Sequence, residues 1–252
     1  MTEKQLFEYS GYNVSSLKYL SLYKLTELRV IWSAPIQVEY FPNLTELVVH
    51  SCRRLIYIFS PTIARNFPQM RRLNICEQTP SQHQLQPICF PNLSSITIIS
   101  CVNLRCLFPI TLAHGGLPKL YRLELEDIPL LEQVFEEDES NVSKDEEEVI
   151  HLPRLTHLKL DWLPYLMSFS PLGSHFIFPS LTDLRVKDCP NIYTRFSVDS
   201  KDSVHAKTQV SQSVDEIIVE ESATAPEIAW PIGSDIYWWN GEGGEDESDF
   251  EY

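Results

Sequence analysis

One twelve-residue phrase recurs along the chain and constrains its fold more than any other feature. "FPNLTELVVHSC" begins at Phe41 and "FPNLSSITIISC" at Phe90. Related copies begin at Val14, Phe67, Leu117, Leu152 and Phe178, so the seven starts are separated by 27, 26, 23, 27, 35 and 26 residues. Each copy follows L-x-x-L-x-L-x-x-[C/L/I]-x-x-L, and 33 of the 35 apolar slots are filled by apolar residues. Both exceptions, Gln78 and Ser81, fall in the copy that starts at Phe67. Apolar residues make up 43% of the chain, so a pattern this dense is not background. A sustained period means that one structural unit is used many times.

A consensus of this form, at a period of roughly 20–29 residues, marks leucine-rich repeats. In the L-x-L portion, alternate side chains point to opposite faces of a strand. Leu47 and Val49, or Leu123 and Leu125, therefore face inward. One repeat cannot bury its apolar edge alone, so neighbours must stack. The Phe-Pro or Leu-Pro that opens a copy fixes φ and resets the chain into the next strand. The expected fold is an α/β leucine-rich-repeat solenoid over 14–196, a curved parallel sheet with about seven strands and an irregular or short-helical convex side. "SPTIARNFPQM" (60–70) and "PITLAHGGLPKL" (109–120) read as short convex helices stopped by proline. Residues 1–13 form an N-terminal edge segment, 136–149 an acidic loop insertion and 197–252 a disordered acidic tail.

Charge supports that division. The net charge is −15, yet 197–252 holds 14 acids against two lysines and 136–149 holds eight against one. The remainder has 13 acids and 17 Lys/Arg, a balance of +4, which is too even for a nucleic-acid-binding face. No G-x-x-x-x-G-K-[ST] or G-x-G-x-x-G string occurs, so the common nucleotide signatures are missing and no cofactor is expected. The opening "MTEKQLFEYSGYNV" has no apolar signal region and no apolar run reaches spanning length, so the expected location is cytoplasmic.

Candidates for chemistry are few. Cys52, Cys101 and Cys189 occupy a repeat slot that other copies fill with Leu25, Ile128 and Leu163, which points to small buried side chains rather than metal ligands. If all seven copies stack in order, no two of these three cysteines lie on adjacent rungs. The sequons at Asn43 and Asn92 are letters of the repeat itself. No nucleophile motif accompanies the histidines, so no catalytic residue is assigned and the chain is read as no enzyme. The outward strand positions form the better candidate, a concave protein-binding face. Its first members are Tyr19, Tyr23, Glu46, His50, Arg72 and Asn74. Arg122, Glu124, Glu126, His157, Lys159, Asp161, Asp183, Arg185 and Lys187 continue it. A face of mixed sign with some aromatics suits a protein surface gripped through many modest contacts.

The stretches "FPNLTELVVHSCRRLIYIFSPTIARNFPQMRRLNI", "LPRLTHLKLDWLPYLMSF" and "FPSLTDLRVKDCPNI" closely resemble the C-terminal leucine-rich repeats of plant intracellular coiled-coil, nucleotide-binding disease-resistance receptors. The resemblance covers about 14–196. It implies recognition of a pathogen effector or a guarded host protein, autoinhibition of a nucleotide-binding domain, or both. The chain itself carries no P-loop, so the resemblance extends to recognition and not to the nucleotide switch. Alternatives are a substrate-binding adaptor of the F-box type, which calls for a helical module ahead of Val14, and a stand-alone scaffold or decoy unrelated to immunity.

Overall fold

The computed structural model describes residues 5–7, 16–32, 42–59, 90–136, 148–208 and 228–240. In chain order the strands begin with β1 (Gln5–Phe7), β2 (Tyr19–Tyr23), β3 (Val30–Trp32), β4 (Glu46–His50), β5 (Tyr57–Phe59) and β6 (Ser95–Ile99). They continue with β7 (Cys106–Pro109), β8 (Arg122–Glu126), β9 (Gln133–Glu136), β10 (Glu148–His151), β11 (His157–Asp161) and β12 (Ser174–Phe178). The last are β13 (Asp183–Lys187), β14 (Thr194–Val198), β15 (Val204–Thr208), β16 (Ile228–Ala229) and β17 (Ile236–Trp239). One helical turn, Ile110–Ala113, is the only helix among the described residues.

The repeat strands build the main sheet. Strands β2, β4, β6, β8, β11 and β13 pair in parallel, and β17 adds itself antiparallel to the end of β13. The register follows the consensus letter for letter: Leu47 lies beside Ile96, Ile96 beside Leu123, Leu123 beside Leu158 and Leu158 beside Leu184. These residues and their i+2 neighbours are buried in one continuous core. A fully buried aliphatic side chain of this kind contributes about 1.5–3 kcal/mol. Thr45, Ser94, Thr156 and Thr182 each donate a side-chain hydroxyl to a carbonyl of the preceding rung, which fixes the register at the strand entrances. Asn92 and Asn191 likewise donate to the carbonyls of Pro42 and Pro164, so Asn92 serves the repeat structurally.

Each strand leaves the sheet through one left-handed residue. Lys24, Ser51, Ser100, Asp127, Trp162 and Asp188 have φ between 52° and 55°. Polar residues tolerate this region, whereas a bulky side chain is strained there. Trp162 is 52% exposed and recovers little by burial. Trp162→Asn is therefore expected to raise the unfolding free energy by about 0.5 kcal/mol, because the left-handed conformation costs a bulky residue roughly 1–2 kcal/mol. Urea denaturation checks this, and a lowered midpoint would mean that packing of the ring outweighs its backbone strain.

The helical turn Ile110–Ala113 falls within 109–120, where a short convex helix is expected, and 60–70 lies outside the described residues. The rest of the far side is not the irregular or short-helical return expected. It consists of two further sheets among the described residues, ordered β1-β3-β5-β7-β9 and β10-β12-β15-β14-β16. Segments such as "RVIW" and "QVF" are β-branched and aromatic, which suits a pleated, half-buried layer. Their large side chains fill the space behind the main sheet. Phe108 and Phe135 are 5.7 Å apart, Phe135 and Phe169 5.6 Å, and Phe169 and Phe196 6.5 Å, ring centre to ring centre. β1 takes the outer edge of this second layer beside β3.

Three further expectations change. First, β4 pairs directly with β6, Glu46 with Ser95 through His50 with Ile99, and β5 pairs directly with β7. No further rung therefore stands between β4 and β6, and the copy starting at Phe67, with Arg72 and Asn74, lies outside the described residues. In the sequence, Gln78 and Ser81 interrupt the apolar slots of that copy. Second, the segment read as a disordered tail contains β15, β16, β17 and the end of β14. Val198, Val204, Ala206 and Thr208 alternate inward and are buried, which is why this stretch folds despite its polar composition. Third, Glu136 belongs to β9 and Glu148–Val149 to β10, so the acidic insertion narrows to 137–147, outside the described residues.

Candidate protein-binding face

Outward residues of the six parallel strands form three rows. The lower row reads Tyr19, Glu46, Ser95, Arg122, His157 and Asp183. The middle row reads Ser21, Val48, Thr97, Glu124, Lys159 and Arg185, and the upper row Tyr23, His50, Ile99, Glu126, Asp161 and Lys187. Thirteen of the fifteen residues singled out from the sequence thus share one face, and Arg72 and Asn74 lie outside the described residues. In-register parallel pairing at about 4.8 Å per strand makes that surface a close lattice of side chains.

Its charges are mostly neutralised in place. Arg122 donates to Glu124 at 2.6 Å, Lys159 to Glu126 at 2.6 Å, and Arg185 to Asp183 at 3.2 Å. Lys159 also lies 3.7 Å from Asp161, and Lys187 3.8 Å from Asp188. Exposed pairs of this kind contribute only about 0–1 kcal/mol to folding. Their consequence is local neutrality across the last three parallel rungs. The first rungs differ: Tyr23 packs on His50 at 4.9 Å between ring centres, and Lys24 Nζ sits 4.9 Å from the Tyr23 ring centre.

The family described as plant disease resistance protein RPS2-like, leucine-rich repeats, matches this sequence over residues 2–79 and 77–206. The chain belongs to this family. The resemblance read from its Phe-Pro openings is therefore borne out, and the match continues past residue 196 into β14 and β15. No curated protein and no solved structure matches the chain. As a member of a plant disease-resistance repeat family, the chain is a repeat domain of the protein-recognition type.

In this repeat domain, β17 adds two face residues that sequence reasoning missed. Tyr237 pairs with Arg185 and Trp239 with Asp183, so both rings continue the outward face beyond the sixth rung. They are 64% and 56% exposed, whereas Ile236 and Trp238 turn toward the core. The alternation in "DIYWW" was the available signal, masked by its acidic surroundings.

Other reactive groups are held by neighbouring backbone and side-chain groups. Because β4 pairs directly with β6, Cys52 and Cys101 lie on adjacent rungs, against the expectation that no two slot cysteines do. Cys101 is raised well above the ordinary thiol range, first by its hydrogen bond with Cys52 and then by burial. Burial pushes the Cys189 thiol up to about 12. All three slot cysteines are buried, with sulfurs directed at backbone carbonyls. His50 contacts the Ser51 hydroxyl at 2.8 Å and His157 the Thr156 hydroxyl at 2.7 Å. In neither pair does a carboxylate hold the second ring nitrogen among the described residues. His205 joins Asp199 at 3.2 Å and His175 at 2.7 Å, in the β14–β15 hairpin and away from the concave face. For Asp199, burial opposes ionisation, but the N–H groups of Ser203 and Lys201 and the His205 ring outweigh it and hold the carboxyl below its usual range. No His/Cys/Asp/Glu group suited to a metal occurs among the described residues, and none of their helices is long and apolar enough to cross a membrane.

Proposed function

We propose that this chain is a non-enzymatic protein-recognition module of the plant defence response, working in the cytoplasm. Its concave face contacts a pathogen effector or a guarded host protein, or it restrains the nucleotide-binding domain of a receptor, or it does both. The observation that carries this reading is the six-rung parallel register, which lays polar and aromatic side chains of six repeats onto one surface. The family match supports the defence setting. The hydroxyl–imidazole pairs without a carboxylate support binding rather than turnover, since acyl transfer needs a nucleophile, an oriented base and an oxyanion site together.

Photo-crosslinking in leaf tissue tests it. A photoreactive amino acid at Glu124 on the concave face, and separately at Leu172 in an exposed turn, is compared in infected and uninfected leaves. The expected result is a discrete protein adduct from position 124 that changes with infection and is absent from position 172. Adducts from position 172 alone would overturn the concave-face assignment, and adducts indifferent to infection would overturn the defence role.

A further inference from the structure

The first three rungs of the concave face are nearly free of charge. Tyr19, Tyr23, Val48, His50 and Ile99 face outward there, with the two tyrosines 51% and 56% exposed. Glu46 is the one carboxylate among them. Every other carboxylate on the parallel rungs of this face has a cation within 4 Å: Glu124, Glu126, Asp161 and Asp183 are all paired. Glu46 has no such cation among the described residues. It lies in register beside Tyr19, about 4.8 Å away along the sheet. A neighbouring ring already attracts a cation, since Lys24 Nζ lies over Tyr23.

We infer that this end of the face binds an arginine-bearing, otherwise uncharged segment of a partner protein. Its guanidinium pairs with Glu46 and lies over the Tyr19 ring, and the apolar neighbours of that arginine cover Val48 and Ile99. The inference rests on the protein-recognition reading above and assigns it a place and a chemistry. Arginine fits better than lysine because its planar, weakly hydrated head can pair with a carboxylate and stack on an aromatic face at once. The charged rungs offer less, because a partner must desolvate pairs that already satisfy each other. Binding energy therefore concentrates on the tyrosine end, with the paired charges acting as a polar rim.

The test is a selection of random phage-displayed peptides on the full chain, followed by fluorescence anisotropy of the enriched peptides. Peptides with arginine beside aliphatic residues are expected. Glu46→Gln and Tyr19→Leu should each weaken them about tenfold, the scale of a charge-assisted hydrogen bond or a desolvated cation–π contact. Glu124→Gln should change binding less than about twofold, because that carboxylate is already satisfied by Arg122. Glu46→Arg should bind the same peptides with their arginine replaced by glutamate. Glu46→Gln is isosteric and faces outward, and unchanged thermal unfolding verifies that it folds. Peptides indifferent to Glu46 but weakened by Lys159→Ala or Arg185→Ala would overturn this inference and leave the concave-face reading standing. Peptides indifferent to every concave substitution would overturn both. A selection with no enrichment over the Glu46→Gln chain would also overturn the inference.

Discussion

Phe169→Ala is expected to cost about 3–5 kcal/mol of stability, the range for removing a buried phenylalanine and leaving a cavity. Phe169 has no exposed surface and sits where the two rear sheets meet. Its ring is 5.6 Å from Phe135 of the second sheet, and 5.2, 5.8 and 6.5 Å from Phe176, Phe178 and Phe196 of the third. Its N–H donates to Thr194 Oγ1 at 2.7 Å and its carbonyl accepts from Phe135 at 3.0 Å, so the backbone is pinned and cannot collapse into the void. Total stabilities are only about 5–15 kcal/mol, so a loss of this size removes a large share. In a stacked array each unit depends on its neighbours, and the loss should weaken the C-terminal rungs before the N-terminal ones. Guanidinium unfolding measures the total and hydrogen exchange its location. Leu172→Ala, at a side chain 58% exposed, should change stability by less than about 0.5 kcal/mol as a control. A Phe169→Ala loss below about 1 kcal/mol would show that the site can close and that the phenylalanine cluster does not join the two sheets.

The outward face of the main sheet was legible in the sequence because strand alternation has a period of two and the consensus fixes its phase. Once Leu47 and Val49 face inward, Glu46, Val48 and His50 must face outward, and the register then aligns them with Ser95, Thr97 and Ile99. The number of rungs was less legible. Letters such as Phe67, Pro68, Met70 and Leu73 follow the pattern, yet β4 pairs directly with β6, so no further rung stands between those two. In the sequence, Gln78 and Ser81 break the pattern of that copy, and a ladder position suits cysteine or leucine better than an unsatisfied amide or hydroxyl. The rear layer was missed for another reason. Trp32, Phe108, Phe135 and Phe196 stand eighteen residues after the copies at Val14, Phe90, Leu117 and Phe178 begin, a periodicity the front-strand consensus does not contain. The centre of the third sheet was misread from composition, because β15 hides Val204, Ala206 and Thr208 between polar letters.

Removing residues 228–252 should destabilise the domain by several kcal/mol and make it self-associate. Among the described residues β17 is the only antiparallel strand of the main sheet, and it covers the edge of β13. Ile236 is 3% exposed and Trp238 packs partly into the core, and these two side chains contribute about 3–5 kcal/mol between them. The arrival of the strand is specified locally. Asp235 Oδ1 accepts the Asp188 N–H at 3.0 Å, and the Asn240 N–H reaches the Thr182 carbonyl at 2.8 Å. Gly233, at φ +75°, brings the turn so close to Pro190 that a Cβ would lie 3.0 Å from its carbonyl oxygen. Without β17 the unpaired donors and acceptors of β13 face solvent beside Leu184 and Val186, and an open edge of this kind templates pairing with a second chain. Light scattering across a concentration series should then show a species growing from the monomer, alongside a lowered guanidinium midpoint. Trp238→Ala separates the two causes: it removes packing but keeps the strand, so it should lower the midpoint while the chain stays monomeric. A shortened chain that remains monomeric with an unchanged midpoint would mean that β13 tolerates an open edge and that β17 serves only to carry Tyr237 and Trp239 onto the outward face of the main sheet.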